Sequence, residues 1–239
     1  MKQEKYSPVA TLYEAKQEGY ADLFCVKTLY NYIHGEVFLD YTAKDLPYQK
    51  ERRKTAKRAK RIRKKDGRSI EEREEGINQR EEFGHWEMDM VVGKQGGSQE
   101  CLLVLTERKS RKQIIRKIEN KKSESVCKEI AKIAKQYPKT FGKRFKSITV
   151  DNGSEFMDAE RLESYGTIIY YAHSYSSWER GSNENANRLI RRFFKKGTDF
   201  KAVTKKRIQQ LEEWMNNYPR KMFQGRTAKE YYQELLLVS

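Results

Sequence analysis

The sequence predicts an α/β fold, a mixed five-stranded sheet with helices on both faces, preceded by a small helical segment. Three observations support this. Short apolar runs of strand length are concentrated between residues 83 and 172. Stretches with apolar residues every three or four positions, the period of a helix, lie between and after these runs. A very basic, unpatterned stretch separates this region from two short helical patterns at the amino terminus.

The amino-terminal patterns predict two short helices with a tight connection. The apolar residues of the second helix recur at spacings of three and four: Val26, Leu29, Tyr30 and Ile33. This leaves Lys27, Thr28 and Asn31 on the outer face. The pair suggests a partial helix-turn-helix over residues 1–46, whose second helix reads the major groove of DNA through those three residues. An ordinary helical hairpin is the alternative.

Residues 52–65 contain ten basic side chains in fourteen and no acidic one. So many like charges cannot pack against anything except an anion. They predict a linker over residues 47–80 that is disordered or ordered by DNA, with Arg58 and Arg61 among the DNA contacts. A merely solvated run is the alternative. The remaining residues, 81–239, are expected to form the catalytic core with its carboxy-terminal helices.

The charge balance points to a polyanionic partner. Lysine and arginine outnumber aspartate and glutamate 50 to 34, a formal net charge of +16 over 239 residues, so nucleic acid is the first candidate. A membrane surface would also attract this charge. However, the sequence has no apolar run of about 18 residues and no signal-peptide pattern, so we expect no membrane and an intracellular protein. The three cysteines lie far apart in apolar patterns and are expected to be reduced core residues.

The elements of the core region follow in a definite order. A capping box at Ser69-Ile-Glu-Glu72 opens a short acidic helix before them. The predicted strands are residues 86–93, 101–108 and 113–120, which form an antiparallel meander, then the strand into Asp151, and residues 167–172. The predicted helices are residues 123–137, 158–165, 205–217 and 228–236. The order β-β-β-α-β-α-β-α is that of an RNase H-like fold.

Two aspartates are candidate metal ligands. Side chains alternate along the first strand, which presents two sets to opposite faces: Trp86, Met88 and Met90, and Glu87, Asp89 and Val91. Asp89 therefore lies in mid-strand, where a buried charge is costly unless it is paired. Asp151 ends the fourth strand, which lies beside the first in this fold. One metal ion would then reach both carboxylates, and a plain hairpin turn at Asp151-Asn-Gly is the alternative.

Glu184 is the third candidate ligand, and it opens the run E-N-A-N-R-L-I-R-R-F-F-K-K. Cations recur after it at helical spacing: Arg188, Arg191 and Lys195. One helix face would then carry a carboxylate followed by three cations that suit a phosphate backbone. A solvated face with a Glu184–Arg188 pair is the alternative. Oxygen ligands without histidine or cysteine select Mg²⁺ or Mn²⁺.

Five stretches carry a family resemblance: G-H-W-E-M-D-M-V-V-G-K, L-T-E-R-K-S-R, I-T-V-D-N-G-S-E-F, Y-S-S-W-E-R-G-S-N-E-N-A-N-R-L-I-R-R-F-F-K-K-G-T-D-F and N-N-Y-P-R-K. In order and spacing they resemble the DDE transposases of the bacterial insertion-sequence-thirty family, over about residues 20–235. The resemblance implies an RNase H-like integrase core with Asp89, Asp151 and Glu184 as its acidic triad. The chain departs from the family where H-S-Y-S-S-W-E replaces an expected proline-containing segment ending in W-Q. Family members also carry more helix-turn-helix sequence at the start.

The activity implied is metal-dependent strand cleavage and strand transfer at the inverted ends of an insertion sequence, by a homo-oligomer on DNA in the bacterial cytoplasm and nucleoid. Two Mg²⁺ or Mn²⁺ ions would activate the attacking hydroxyl and stabilise the leaving oxygen, with Asp89 between them. Expected phosphate contacts are Arg180, Arg188, Arg191 and Lys195. Trp178 either stacks on a base or packs under its loop. His85 and His173 are expected to be structural.

Two other functions fit parts of the sequence. The chain would be an amino-terminally truncated DNA-binding product if the short helical segment impairs targeting, occupying element ends without completing transposition. An RNA-cleaving nuclease on the same fold is the other, and the helix pair and basic linker argue against it.

Overall fold

The computed structural model describes residues 1, 3–47, 67–174 and 176–238, which divide into two compact units. One unit comprises the described residues of Met1–Lys60 together with Asn217–Tyr231, and the other those of Arg61–Asn216 together with Tyr232–Ser239. The second unit contains the sheet and the three candidate metal ligands, Asp89, Asp151 and Glu184. The predicted boundaries at 46/47 and 80/81 stay a prediction, and most of the basic linker, with Arg58 and Arg61, lies outside the described residues.

A mixed sheet forms the centre of the larger unit. Its strands are β1 (Arg68–Ser69), β2 (His85–Val92), β3 (Cys101–Glu107), β4 (Gln113–Ile118), β5 (Ser147–Val150) and β6 (Ile168–Tyr171). Their order is β1-β6-β5-β2-β3-β4, with β2, β3 and β4 antiparallel and the remaining pairs parallel. The predicted meander and the α/β, RNase H-like class are confirmed.

The sheet has six strands in the described residues, whereas the sequence predicted five. The additional strand, β1, is two residues long and pairs in parallel with β6, Arg68 opposite Tyr170 and Ser69 opposite Tyr171. A two-residue strand is too short to show alternation in its sequence. The capping box that follows it is confirmed, because Ser69 N donates to Glu72 Oε1 at 2.7 Å. It opens a 3₁₀ turn.

The helices are α1 (Pro8–Gln17), α2 (Val26–His34), α3 (Glu75–Gln79), α4 (Ser123–Gln136), α5 (Phe141–Arg144), α6 (Ala159–Glu163), α7 (Gly181–Ile190), α8 (Lys205–Asn217) and α9 (Ala228–Val238). The predicted helices at 123–137 and 205–217 are confirmed almost to the residue. Thr227 caps α9 as predicted, since its Oγ1 accepts from Glu230 N at 3.1 Å. Within the described residues no helix combines the length and the apolarity needed to cross a membrane.

Two apolar clusters cover the two faces of the sheet. One contains Trp86 and Met88 of β2 with the inner face of α4. The other contains Val91 of β2 with residues of α7 and α8. The predicted alternation along β2 is therefore confirmed. Its polar residues Glu87 and Asp89 share the second face with Val91, and this directs them toward α7.

Helix α8 covers the exposed edge of the sheet at β4. Asn216 Oδ1 accepts from Gln113 N at 2.8 Å, and Asn216 Nδ2 donates to Gln113 O at 3.0 Å. Glu212 Oε2 accepts from Ile115 N at 2.6 Å. These side chains make the hydrogen bonds to the β4 backbone that a neighbouring strand would otherwise make. They therefore block pairing of β4 with a strand of another chain at this position.

The amino-terminal unit contains α1 and α2. Ser7 caps α1, accepting from Ala10 N at 3.3 Å, and Leu29 and Ile33 of α2 are buried as predicted. Val26 was predicted to face inward, but it is 38% exposed because it occupies the first position of α2, where no preceding turn covers it. Cys25 just before it is exposed rather than a core residue; Cys101 and Cys127 are buried.

Candidate active site

The site is built where β5 ends beside the middle of β2. The two strands are parallel, and their register pairs Glu87 with Thr149. Continuing that register by two residues sets Asp89 opposite Asp151. Their side chains are 21% and 38% exposed, respectively, so both carboxylates reach solvent. We refer to Asp89 and Asp151 as the acid pair.

The turn after β5 holds the Asp151 carboxylate in place. Asp151 Oδ1 accepts from Gly153 N at 2.8 Å, which closes a local turn. Asn152 Nδ2 donates to Ala172 O, the residue after β6, at 2.6 Å. The Asp151-Asn-Gly segment is therefore a strand-end turn tied to the neighbouring parallel strand, and the alternative of a hairpin does not hold.

One guanidinium bridges the acid pair. Arg180 Nη1 lies 3.3 Å from Asp89 Oδ1, and Arg180 Nη2 lies 3.3 Å from Asp151 Oδ2. Arg180 ends a 3₁₀ turn, Ser177–Arg180, that leads directly into α7. From α7, Asn187 Nδ2 donates to Asp89 Oδ2 at 2.8 Å. Two neighbouring carboxylates would repel each other without a cation, and here Arg180 supplies it.

Glu184 lies in the first turn of α7, but its carboxylate pairs with Arg188 one turn further along. Both side chains are about half exposed. Among the residues that the structure describes, no group of three or more His, Cys, Asp or Glu side chains is arranged to hold a metal ion. The structure thus brings Asp89 and Asp151 to one shared cation and gives Glu184 a different partner. The triad stays a prediction.

The predicted cationic helix face is shorter than the sequence suggested. Helix α7 ends at Ile190, so only Glu184 and Arg188 share it, and Arg191 is its C-cap. Arg191 Nη2 donates to Val92 O at 3.2 Å, and burial lowers the pKa of Arg191. The helix stops because the following aromatic residues turn into the apolar cluster, where Phe194 packs on Phe200. Lys195 lies beyond the helix and is exposed.

The other predicted DNA contacts vary in exposure. In the amino-terminal unit Lys27 and Asn31 are exposed, whereas Thr28 is half-buried with its Oγ1 3.2 Å from Cys25 Sγ. Trp178 is 74% exposed, so it does not pack under its loop, and the stacking alternative remains as a prediction.

A buried polar layer that the sequence patterns do not predict lies directly behind the acid pair. Glu87 is fully buried and pairs with Arg108, Nη1 to Oε1 at 2.5 Å. Its other oxygen accepts from Asn183 N in the first turn of α7 at 2.9 Å. On β5, Thr149 Oγ1 accepts from the buried Arg73 at 3.1 Å. Glu87 carried a usable signal, because it is a second acid in mid-strand on the same face as Asp89.

Burial shifts the titration of both cations in this layer. Desolvation lowers the pKa of Arg73 to about 10, and the neighbouring Arg108 charge adds to that. Desolvation also lowers the pKa of Arg108, while the Glu87 carboxylate opposes the shift. The layer ties β2, β5 and the amino end of α7 together through charge-assisted hydrogen bonds. It therefore sets where α7 presents Glu184 and Asn187.

His173 ties the loop that carries Arg180 to the turn after β1. Its Nδ1 lies 2.7 Å from Glu179 Oε1, and its Nε2 lies 3.0 Å from Glu71 Oε1. The hydrogen bond and charge of Glu179, followed by Glu71, raise the pKa of His173. A raised folded pKa means that this tie is fully present below the unfolded value of about 6.5 and is lost as pH rises through the folded value.

We expect Glu179→Gln to lower the NMR titration midpoint of His173, because it removes the larger of the two causes. The midpoint of the parent protein should lie above that of the chain unfolded in urea. Glu160→Gln, an exposed substitution on α6, is the matched control and should leave the midpoint unchanged. A parent midpoint at or below the unfolded value would contradict the assignment.

The sequence of this chain is similar to a known protein family and to several known proteins. A family model of the integrase core domain matches residues 79–196. The probable transposase of the insertion-like sequence element IS1161 from Streptococcus salivarius is 39% identical over 207 residues, covering 87% of this chain and 58% of the relative.

Two further relatives are similar over 168 residues each. The transposase of insertion sequence element IS4351 from Bacteroides fragilis is 36% identical over 168 residues, covering 70% of this chain and 50% of the relative. Transposase InsI of insertion sequence element IS30C from Escherichia coli K12 is 36% identical over 168 residues, covering 69% of this chain and 42% of the relative. The chain thus spans about half the length of the curated relatives it matches.

Proposed function

We propose that this chain, which belongs to the integrase core family and is related to the transposases of insertion sequences, catalyses metal-dependent cleavage and strand transfer of DNA at the inverted ends of a mobile element. The observation that carries the proposal is the acid pair. Asp89 and Asp151, from adjacent parallel strands, turn toward one shared cation at a solvent-accessible sheet edge. Such a placement suits chemistry on a charged, extended substrate.

The donor set of the acid pair fits Mg²⁺ or Mn²⁺. Both residues offer carboxylate oxygens, no sulfur or imidazole ligand is involved, and Arg180 already bridges them as a cation. Two such ions would activate the attacking water or DNA 3′-hydroxyl and stabilise the leaving oxygen. Asn187 orients Asp89 by donating to its Oδ2, and Gly153 N orients Asp151 by donating to its Oδ1, so the protein itself orients both carboxylates before any substrate arrives.

Glu184 is the third acidic residue of the proposal. It lies three residues before Asn187 on α7, and residues three apart are neighbours on a helix surface. Asn187 contacts Asp89, so the Glu184 side chain starts close to the acid pair. Its pair with Arg188 is half exposed, and such pairs contribute only about 0–1 kcal/mol. Glu184 can therefore give up its contact with Arg188 for a contact with another cation at little cost in free energy.

Cationic, aromatic and amide side chains of both units would hold the DNA. Arg180 would exchange a carboxylate for a phosphate, and Arg188 would be released when Glu184 changes partner. Lys195 is exposed, Trp178 offers an uncovered ring for base stacking, and Lys27 and Asn31 lie on the outer side of α2. Arg191 is the weakest of the proposed contacts, because its guanidinium already donates to backbone carbonyls. We propose that the chain acts as a homo-oligomer on DNA.

The test is cleavage and joining of end-labelled duplexes that carry the terminal sequences of the element. Nicked and joined products are expected with Mg²⁺ or Mn²⁺ and not with EDTA. Glu184→Gln should abolish them while leaving DNA affinity intact, whereas Glu213→Gln, an exposed substitution on α8, should behave like the parent. Cleavage by Glu184→Gln at the parental rate would remove Glu184 from the site. DNA binding without cleavage in either metal would overturn the proposed activity.

A further inference from the structure

A second ion pair lies beside the acid pair. Glu155, four residues after Asp151, is 2% exposed, and its Oε1 lies 3.0 Å from Lys121 Nζ. Lys121 is half exposed and lies in the connection between β4 and α4. Glu155 lies in the 3₁₀ turn Ser154–Phe156, which packs against α4. Neither residue belongs to the acid pair or to the predicted DNA contacts.

The Glu155 carboxylate fits in its place because residue 153 is a glycine. A Cβ atom at Gly153 would lie 2.5 Å from Glu155 Oε2, so a side chain there would displace the carboxylate. Within the described residues Glu155 Oε2 is buried and has no hydrogen-bond partner. A buried carboxylate kept only for stability would be expected to satisfy both oxygens, because an unmet one is destabilising. The other oxygen, Oε1, makes the ion pair with Lys121, so the buried carboxylate holds the Lys121 ammonium in place.

Lys121 lies within electrostatic reach of the acid pair. Burial alone would lower the pKa of Lys121, but the hydrogen bond and charge of Glu155, followed by the charges of Asp151 and Asp89, raise it. Burial, followed by the charge of Glu155, raises the pKa of the Cys101 thiol to about 11. The ammonium is thus held charged at the edge of the site.

The two cations belong to segments that lead into helices on opposite faces of the sheet. Arg180 comes from the loop that leads into α7, while Lys121 comes from the start of α4. Helices α4 and α7 pack on opposite faces of the sheet. A DNA strand that enters at the acid pair would therefore meet a guanidinium on one side and an ammonium on the other.

We propose that Lys121 is a phosphate-binding residue of the active site, contacting the DNA backbone on the side opposite Arg180, and that Glu155 is the residue that positions it. This inference rests on the proposed function for the identity of the ligand as DNA. An ammonium has three donors and the pair with Glu155 needs one of them, so a phosphate oxygen is bound without breaking that pair. The Lys121 side chain is half exposed, so a phosphate can approach it from solvent.

The first test measures DNA affinity without metal, using a fluorescein-labelled duplex that carries one element end, in EDTA. Lys121→Met should weaken binding about threefold to tenfold at low salt and reduce the slope of log K against log salt by about 1. Lys121→Arg should restore both values. Lys122→Met removes the same charge one residue away, on an exposed side chain, and is the matched control. Thermal melts confirm that each variant is folded.

A second test locates the phosphate. A single neutral methylphosphonate is placed at successive positions of the duplex across the cleavage site. At one position it should weaken DNA binding by the parent protein and by Lys122→Met, but it should not weaken binding by Lys121→Met any further. Glu155→Gln should lower the cleavage rate without lowering DNA affinity, and adding Lys121→Met to it should cause no loss beyond that of Lys121→Met alone. Equal salt slopes for the two lysine variants, or a methylphosphonate profile that Lys121→Met leaves unchanged, would overturn the inference.

The two proposals fail in distinguishable ways. If the parent protein binds the duplex but never cleaves it, the proposed activity fails, while the salt slopes and the methylphosphonate scan still report on Lys121. If the parent cleaves and Lys121→Met matches Lys122→Met in both binding tests, only the inference about Lys121 fails.

Discussion

Asparagine in place of Asp89 or of Asp151 should reduce DNA strand cleavage by about 10³-fold or more, with the protein still folded and still bound to DNA. Either change keeps the side-chain shape but removes one of the two charges that face the shared cation. Asparagine at position 89 still offers an oxygen to Asn187 Nδ2, so the contact with α7 is retained. The loss should therefore appear in the chemical step.

Single-turnover cleavage of the labelled element end separates that step from binding. Calorimetric titration with Mn²⁺ in the absence of DNA gives a second readout, and both variants should bind the ion more weakly than the parent. Asp22→Asn is the matched control, because it makes the same change of charge on an exposed side chain of the amino-terminal unit. Parental cleavage by either variant, or parental Mn²⁺ affinity in both, would contradict the assignment of the acid pair.

Much of the frame of this site is predictable from short-range patterns. The period of two along β2 assigns Asp89 to the face that meets α7, and the element order sets β5 beside β2, which brings Asp151 to the same edge. Helix α4 is predictable because its apolar positions repeat over four turns. In each case the signal lies in contiguous residues, where local periodicity and burial agree.

The remaining features depend on contacts between distant residues. The partner of Glu155 is Lys121, and no spacing rule links a residue before α4 to one after β5. The end of α7 was predicted too late, because the charges at 188, 191 and 195 keep helical spacing, while tertiary packing of Phe194 decides where the helix stops. The two-residue strand β1 carries no pattern at all.

The buried pair behind the site leads to the largest expected effect on stability. Arg108→Met should lower the free energy of unfolding by about 3–5 kcal/mol, because it leaves the Glu87 carboxylate buried without its cation. Glu87 is fully buried and Arg108 is 4% exposed in its side chain, so water cannot substitute for the lost partner. Urea unfolding followed by circular dichroism measures the change. Arg207→Met, an exposed substitution on α8, should change stability by no more than about 0.5 kcal/mol.

The double variant Glu87→Gln with Arg108→Met separates the cost of a lone buried charge from the cost of lost packing. Glutamine still accepts from Asn183 N, so the start of α7 keeps its contact, and no uncompensated charge remains. The double variant should therefore be more stable than Arg108→Met alone by about 2 kcal/mol or more. If the double variant is instead as unstable as the single one, the pair acts through packing, since neutralising Glu87 then restores nothing. Glu87 links β2 to the first turn of α7, so the double variant should recover DNA cleavage along with stability. Recovery of one without the other would show that the pair does not set the position of Glu184.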